Sequence, residues 1–160
     1  MELIAKTFQG LEAVLATELI ELGANDIQIG NRMVSFTGDK AMMYRANFAL
    51  HTALRILMPI KHFRADNADT VYEEVKAIEW ERYMDIKTTF AVDANIFSTD
   101  FRHSQFVAYR VKDAIVDRWR DITDGEQRPN VRITNPDIRI DIHIAENDVT
   151  ISLDSSGESL

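Results

Sequence analysis

The 160-residue sequence contains no cysteine, and it has only three prolines and six glycines. Without cysteine the chain has no disulfide, no thiolate metal ligand and no thiol nucleophile, which is typical of cytoplasmic proteins. The glycines form no GxGxxG motif, so the sequence offers no Rossmann-type turn that could cradle a cofactor. The four histidines are scattered without metal-ligand spacing. These absences predict a cytoplasmic chain that holds no metal.

Long apolar runs are missing as well. No stretch of about 18 apolar residues is present, so we expect no membrane span. The first residues, MELIAKTF, lack the charged-then-apolar pattern of a signal peptide. Hydrophobic residues nevertheless make up 46% of the chain, which is enough to form the cores of one domain or two small ones.

Positive charge is scarce overall but unevenly distributed. The net charge of −8 argues against an indiscriminate nucleic-acid binder. Residues 101–140 are the exception, because they contain eight Lys/Arg against six Asp/Glu, and seven of the eight are arginine. Salt screens charges over about 8–10 Å, so a local basic patch can act despite acidic surface elsewhere. The arginine-rich segment is therefore the main functional signal.

Residues 1–64 predict the order strand, helix, strand, strand, helix, strand. This is the ferredoxin-like βαββαβ arrangement. The elements are a strand at Glu2–Phe8, a helix ending at Gly23, two strands within Ile27–Phe36 split at Gly30-Asn31, a helix capped by Asp39 and stopped by Pro59, and a strand at Ile60–Phe63. We assign to the first helix an apolar face of Leu11, Val14, Leu15, Ile20 and Leu22, and we extend that of the second as far as Ala53 and Leu57.

The polar stretch Ala65–Asp69 predicts a domain joint. After it we expect a helix at Thr70–Trp80, a strand at Phe90–Ile96, a helix capped by Ser104, a loop at Asp124–Pro136, and strands at Ile138–Ile144 and Val149–Leu153. The Ser104 helix has an apolar stripe at helical spacing, made of Val107, Val111, Ala114, Ile115 and Ile122. Alternating isoleucines opposite Asp137, Arg139, Asp141 and His143 predict a strand with one buried face.

Several short motifs resemble a known family. They are R-x-S-Q at Arg102–Gln105, R-V-K-D-A-I-V-D at Arg110–Asp117, R-P-N-V at Arg128–Val131, P-D-I-R-I at Pro136–Ile140 and S-L-D-x-S-G-E-S-L at Ser152–Leu160. In this order they resemble the THUMP domain of bacterial S-adenosylmethionine-dependent RNA methyltransferases, most closely those that methylate guanine N2 in large-subunit (23S) ribosomal RNA. G-L-E at Gly10–Glu12 and F-x-G-D at Phe36–Asp39 are similar to the ferredoxin-like leader of that group.

The resemblance implies an α/β (α+β) chain built of two modules. We expect a ferredoxin-like domain at residues 1–64, a THUMP domain at 65–155, and the start of a linker at 156–160 that leads to a methyltransferase domain beyond Leu160. It also implies that S-adenosylmethionine serves the parent enzyme, while this part of it holds neither cofactor nor catalytic residue.

The candidate RNA contacts lie around the start of the Ser104 helix and on the loop that follows it. Free N–H groups and the helix dipole favour a phosphate at a helix start. With the resemblance, we assign RNA binding to Arg102, Ser104, Gln105, Arg110, Lys112, Arg128, Asn130 and Arg132, and stacking on an unpaired base to Phe101. The alternative is that Ser104 only caps the helix, that Arg110 pairs with Asp113 or Asp117, and that the loop residues are merely solvated.

Other conspicuous residues favour structural roles. Trp80 and Trp119 are expected in the core, Arg118 along packed surface, and Arg139 in a cross-strand ion pair. The resulting hypothesis is a module that holds structured ribosomal RNA by phosphate and shape recognition for the downstream domain. Two alternatives remain: a THUMP module of a tRNA-modifying enzyme, and a ferredoxin-like domain that binds a small ligand or dimerises through its sheet.

Overall fold

The computed structural model describes residues 1–101, 103–125, 129–132 and 134–155, which divide into two compact units. The first unit contains residues 1–59 together with Asp154 and Ser155, and the second contains residues 60–153. The chain therefore passes from one unit to the other twice, after Pro59 and again after Leu153.

The first unit has the predicted βαββαβ order. Its elements are β1 (Glu2–Lys6), α1 (Glu12–Leu22), β2 (Asn25–Gly30), β3 (Met33–Thr37), α2 (Lys40–Ala49) and β4 (Arg55–Arg64), of which residues 60–64 belong to the second unit. The strand order is β2-β3-β1-β4, and each neighbouring pair is antiparallel. This topology confirms the ferredoxin-like prediction.

Local sequence signals in the first unit are confirmed. Gly23 ends α1 in the left-handed conformation at a φ of 96°, and its N–H donates to the Ile20 carbonyl. The Asp39 side chain accepts a 2.8 Å hydrogen bond from the backbone N–H of Met42 and so caps α2. Gly30-Asn31 lies where β2 turns into β3.

Two expectations for the helices of this unit are wrong. The second helix ends at Ala49, and Leu57 and Pro59 lie in β4. The registered pairs between β4 and β1 end at Leu57, so Pro59 interrupts none of them. On α1 the core is made by Leu15, Ala16 and Leu19, whereas the predicted face residues Leu11, Val14 and Ile20 are exposed.

Ser155 returns the chain to the first unit after β8 and is buried there. Its hydroxyl donates a 2.7 Å hydrogen bond to the Ile56 carbonyl of β4. It also accepts a 3.2 Å hydrogen bond from the side-chain amide of Asn47 on α2. A strand and a helix of the first unit thereby bind a single residue that lies 99 and 108 positions later in the chain.

The second unit contains α3 (Ala68–Lys76), a 3-10 turn (Trp80–Arg82), β5 (Thr89–Phe97), α4 (Ser104–Ile122), β6 (Asn130–Val131), β7 (Ile138–Ala145) and β8 (Asp148–Asp154). The strand order is β8-β7-β5-β6, with residues 60–64 of β4 beside β8. β5 is parallel to both β6 and β7, and β7 is antiparallel to β8. β6 was not predicted, because its two residues lie within the stretch assigned to a loop.

The core of the second unit lies where α4 packs against α3 and β5. Val107, Val111, Ala114 and Ile115 are buried as expected, and Trp80 and Trp119 are buried with them. Ile122 is exposed, so the predicted stripe ends one turn early, at Trp119. The apolar stripe thus fixes one side of α4 against the rest of the unit.

The prediction of a single buried face on β7 is wrong. Ile140, Ile142 and Ile144 are fully buried, but Asp141 and His143 on the opposite face are buried too. Partners on β5 make this burial tolerable: the Asn95 side-chain amide donates a 3.0 Å hydrogen bond to Asp141, and the Phe97 ring lies 5.5 Å from the His143 ring. The alternating sequence places the polar side chains on one face of the strand. It does not show whether that face meets water or partners on a neighbouring strand.

Candidate nucleic-acid interface

The start of α4 differs from the prediction. Ser104 is the first helical residue, and the capping position is taken by His103, whose backbone is extended and whose side chain makes no cap hydrogen bond. The predicted Ser104 cap is therefore wrong, because the backbone becomes helical one residue earlier than the capping pattern suggested. The Ser104 side chain lies exposed at the helix start.

A cleft of about 390 Å³ lies beside the first turns of α4. One wall comes from α4, and the other comes from β5, the end of β6 and Arg139 of β7. We call it the α4–β5 cleft. Its apolar lining consists of Ala91, Val92, Ala94, Ala108 and Val131, and its polar lining of Asp93, Ser104, Gln105, Tyr109, Lys112 and Arg139. A small number of polar groups around an apolar floor is typical of ligand sites.

Three side chains form a row along the helical wall of the cleft. The Gln105 amide donates a 2.9 Å hydrogen bond to the Tyr109 hydroxyl, and the Lys112 ammonium lies 5.8 Å from the centre of the Tyr109 ring. The spacings of four and three residues place all three side chains on one face of the helix. Tyr109 is 53% exposed, so its ring is accessible from solvent. The row combines hydrogen-bonding groups, an aromatic surface and one cation.

Two arginines, Arg139 in the opposite wall and Arg132 next to it, differ in whether a carboxylate lies near the guanidinium. The Arg139 guanidinium lies 3.5 Å from the Asp93 carboxylate on the neighbouring strand, which is the cross-strand type of pair that was predicted. Arg132 follows β6 and is fixed by its backbone N–H, which donates a 2.9 Å hydrogen bond to the Phe90 carbonyl. Its side chain is exposed, and none of the carboxylates that the structure describes pairs with it. Asn130 is exposed on β6 itself.

Arg110 lies outside the cleft lining and is directed towards α3. Its guanidinium carbon is 4.2 Å from the centre of the Tyr72 ring, a cation–π distance. Its nitrogens lie 3.5 Å from the Asp69 carboxylate and 3.9 Å from that of Asp113. The alternative interpretation of Arg110 as part of an ion pair with Asp113 is thus confirmed in geometry. Whether Arg110 also contacts RNA stays a prediction.

Further ion pairs hold α4 to α3 and to the 3-10 turn. Arg118 donates hydrogen bonds of 2.9 and 2.8 Å to the two Glu81 oxygens and one of 3.0 Å to the Lys76 carbonyl. The hydrogen bonds from Arg118 lower the pKa of Glu81 to about 2. The Tyr72 hydroxyl donates to the Asp117 carboxylate, which raises the pKa of Tyr72. We call this set, together with Arg110, the α3–α4 seam.

Phe101 was predicted to stack on a base, and the structure corrects this. The side chain is only 5% exposed, so its ring faces are covered by protein. Its backbone N–H donates to the Ser98 hydroxyl, which holds the residue in the turn before α4. The predicted sites Arg102 and Arg128 lie outside the described residues.

The cleft therefore gathers Ser104, Gln105 and Lys112 of the predicted residues, with Asn130 and Arg132 next to it. Tyr109 was not among the predicted residues, although helical spacing from Gln105 and Lys112 could have placed it on the same face. Val131 was missed because nothing in the sequence marked β6 as a strand.

The described part of the chain lacks a metal-ligand cluster, a glycine-rich cofactor turn and a membrane-spanning helix. No three His, Cys, Asp or Glu side chains come together there as a metal site would require. The described strand-to-helix connections contain at most one glycine each, which does not fit the glycine-rich turn that holds S-adenosylmethionine in Rossmann-type domains. None of the described helices is both long and apolar enough to cross a membrane.

Comparison with protein-family models decides the classification of the chain. The model of the THUMP domain matches residues 65–154, which is more than half of the chain. The chain belongs to the THUMP domain family. The model of the RlmL ferredoxin-like domain matches residues 2–57, in agreement with the topology of the first unit.

Individual relatives support this classification. The chain is 43% identical over 152 residues to the ribosomal RNA large subunit methyltransferase K/L of Syntrophotalea carbinolica, and the match covers 95% of the chain but 21% of the relative. A crystal structure of a possible methylase from Clostridium difficile 630 superposes with a TM-score of 0.80 at 27% identity, covering 96% of this chain and 40% of that one. The structure of SMU.472 in complex with SAH gives 0.76 at 25% identity, with coverages of 96% and 41%.

The curated relatives are considerably longer than this chain. The chain spans between 21% and 40% of the length of the first relatives it matches.

Proposed function

We propose that this chain is the RNA-targeting part of a methyltransferase that acts on large-subunit ribosomal RNA. It holds structured RNA so that a catalytic domain in the same polypeptide can methylate N2 of a guanine with S-adenosylmethionine. We place the domain boundary at residues 64/65 and the linker to the catalytic domain at 156–160. Two observations support this assignment. The 43% identical relative is named a ribosomal RNA large subunit methyltransferase. The structure of SMU.472 contains SAH, the product that remains after methyl transfer from S-adenosylmethionine.

The α4–β5 cleft is the observation that carries the RNA-binding proposal. Ser104 and Gln105 lie at the start of α4, where backbone N–H groups lack helical partners and favour an anion such as a phosphate. Lys112 supplies positive charge from the helical wall, and Arg132 follows Val131, which lines the opposite wall. A phosphate at the helix start could be held by N–H groups and cations together.

Tyr109 gives the cleft a second means of binding. Its accessible ring offers a stacking surface to an unpaired base, and such stacking is insensitive to sequence. The cleft volume of about 390 Å³ is too small for a duplex but admits one or two unpaired nucleotides. This arrangement suits a module that fixes the register of an RNA without reading its sequence.

The salt dependence of RNA binding tests the site. We expect Lys112→Ala with Arg132→Ala to weaken binding of an in-vitro-transcribed large-subunit ribosomal RNA fragment. The slope of log Kd against log salt should fall by about one unit per lost phosphate contact. Fluorescence anisotropy at several salt concentrations would measure it. The control is Arg82→Ala with Arg120→Ala, which removes the same charge from exposed ion pairs outside the cleft.

An unchanged slope in the cleft variant, or an equal change in the control, would contradict the assignment of the site. Preferential binding of tRNA would favour a tRNA-modifying parent enzyme instead. If the chain sedimented as a tight dimer that does not bind RNA, the proposal would fail in favour of a dimerisation domain.

A further inference from the structure

Asp113 follows Lys112 on α4, and its two carboxylate oxygens face different cations. One oxygen lies 3.7 Å from the Lys112 ammonium, and the other lies 3.9 Å from the Arg110 guanidinium. The Asp113 side chain is 45% exposed and that of Lys112 is 35% exposed. Within the part of the chain that the structure describes, no other carboxylate pairs with Lys112. Asp113 is thus the nearest competitor of any anion that approaches this lysine from the cleft.

We infer that Asp113 sets the phosphate affinity of the α4–β5 cleft, because it competes with nucleic-acid phosphate for the Lys112 ammonium. This inference rests on the proposed RNA-binding function of the cleft. A carboxylate and a phosphate are both anionic acceptors for the same ammonium group. A half-exposed pair at 3.7 Å is weak, so a phosphate can displace the carboxylate at small cost.

Three cations on or near α4 differ in how far neighbouring carboxylates neutralise them. Arg110 is held by two carboxylates and the Tyr72 ring, so its charge is committed to the α3–α4 seam. Arg132 has no carboxylate partner among the described residues. Lys112 is intermediate, since one weakly placed carboxylate decides how much of its charge a ligand experiences. A single side chain can therefore tune the electrostatic attraction of the cleft.

The competition lowers the affinity of every ligand whose phosphate reaches Lys112. A duplex that offers phosphates alone must displace Asp113 and gains little else. An RNA whose unpaired bases enter the cleft displaces the same carboxylate and also gains stacking on Tyr109. Asp113 therefore weakens both kinds of complex by a similar factor, and stacking adds to the RNA complex alone.

The test compares Asp113→Asn with Asp124→Asn in the full 160-residue chain. Both variants remove one negative charge, but Asp124 is exposed at the end of α4, pairs with no cation among the described residues, and has a positive φ that asparagine adopts readily. The probes are the ribosomal RNA fragment and a DNA duplex of about 20 base pairs. We expect Asp113→Asn to tighten binding of both probes by about two- to fivefold, because both must displace the same carboxylate from Lys112, with almost no change in Asp124→Asn.

A double-mutant cycle shows whether Asp113 acts through Lys112. In a Lys112→Ala background we expect Asp113→Asn to change neither affinity, since the cation for which it competes is gone. Persistence of the effect in that background, or equal effects of Asp113→Asn and Asp124→Asn, would overturn the inference while leaving RNA binding intact. If the wild-type chain bound no RNA, the proposed function would fail and the inference with it. Circular dichroism would confirm that each variant is folded.

Discussion

Cations lie on both sides of α4 but have different surroundings. On the side of the α3–α4 seam, Arg118 lies 2.8 to 2.9 Å from both oxygens of Glu81, and Arg110 is covered by the Tyr72 ring. On the side of the cleft, Lys112 is 3.7 Å from one carboxylate, and the nearby Arg132 pairs with none of those described. The seam uses positive charge to join helices, whereas the cleft leaves it accessible.

The comparison shows why a count of basic residues is a poor guide to a binding surface. Besides Asp113, Arg110 pairs with Asp69, 41 residues earlier in the chain, and Arg118 pairs with Glu81, 37 residues earlier. Only the folded structure reveals these two distant pairs. If the comparison is correct, substitutions in packed or paired positions will reduce stability, and substitutions in the cleft will reduce RNA binding.

The largest expected effect is on stability and comes from Phe101, just before α4. Phe101→Ala should lower the free energy of unfolding by about 3 kcal/mol, because it removes a buried ring and leaves a cavity. Urea denaturation would measure the loss. The matched control is Phe106→Ala, whose ring is 55% exposed and whose loss should cost less than about 0.5 kcal/mol. Similar costs in the two variants would contradict the placement of Phe101 in the core.

The next effect concerns Tyr109 in the cleft. Tyr109→Ala should weaken RNA binding by about 2 kcal/mol, roughly 30-fold, through loss of base stacking, with little change in stability. Tyr109→Phe keeps the ring and removes only the hydroxyl that Gln105 contacts, so it should retain most of the affinity. Titration of labelled RNA would separate the two. Equal losses would show that the hydroxyl, and not stacking, supports binding.

A smaller effect is expected in the seam, and it depends on pH. Arg118→Ala should cost about 1 kcal/mol at pH 7 and leave RNA affinity unchanged. The pKa of Glu81 falls from its usual 4.5 to about 2 in the folded protein, so the folded state favours the charged carboxylate. Its contribution to stability is therefore present above about pH 4.5 and is lost as the pH falls towards 2.

Urea midpoints of wild type and Arg118→Ala, measured between pH 7 and pH 3, would check this dependence. The difference between the two proteins should shrink as the solution becomes more acidic. A difference that stayed constant over this range would mean that the Glu81 charge does not stabilise the seam.

The features that the sequence predicted well have their partners close by in the chain. Asp39 bonds the N–H three residues later, and Gly23 donates its N–H to the carbonyl three residues earlier. The βαββαβ order also follows from patterns within single elements. Such signals are visible in a sequence because the physics that produces them is local.

The expectations that were wrong depend on distant contacts. Pro59 lies in β4 beyond Leu57, where the registered pairs with β1 end, and that register depends on a strand about fifty residues earlier. Asp141 is buried because Asn95 lies on the neighbouring strand. Phe101 looked like a binding residue because of its neighbours in the sequence, but tertiary packing covers it. The cleft could be predicted on its helical wall and not on its strand wall, because β6 is only two residues long.

The hydroxyl of Ser155 bears on how this polypeptide can be dissected. Truncation of a ferredoxin-like piece at Pro59 would remove the hydroxyl that donates to the Ile56 carbonyl, and would take one of two acceptors from the Asn47 side-chain amide. Separate expression of the N-terminal unit therefore requires the segment that carries Ser155. This segment can be supplied by circular permutation or as a complementing peptide. We therefore expect the two units to be inherited together in evolution and not exchanged separately.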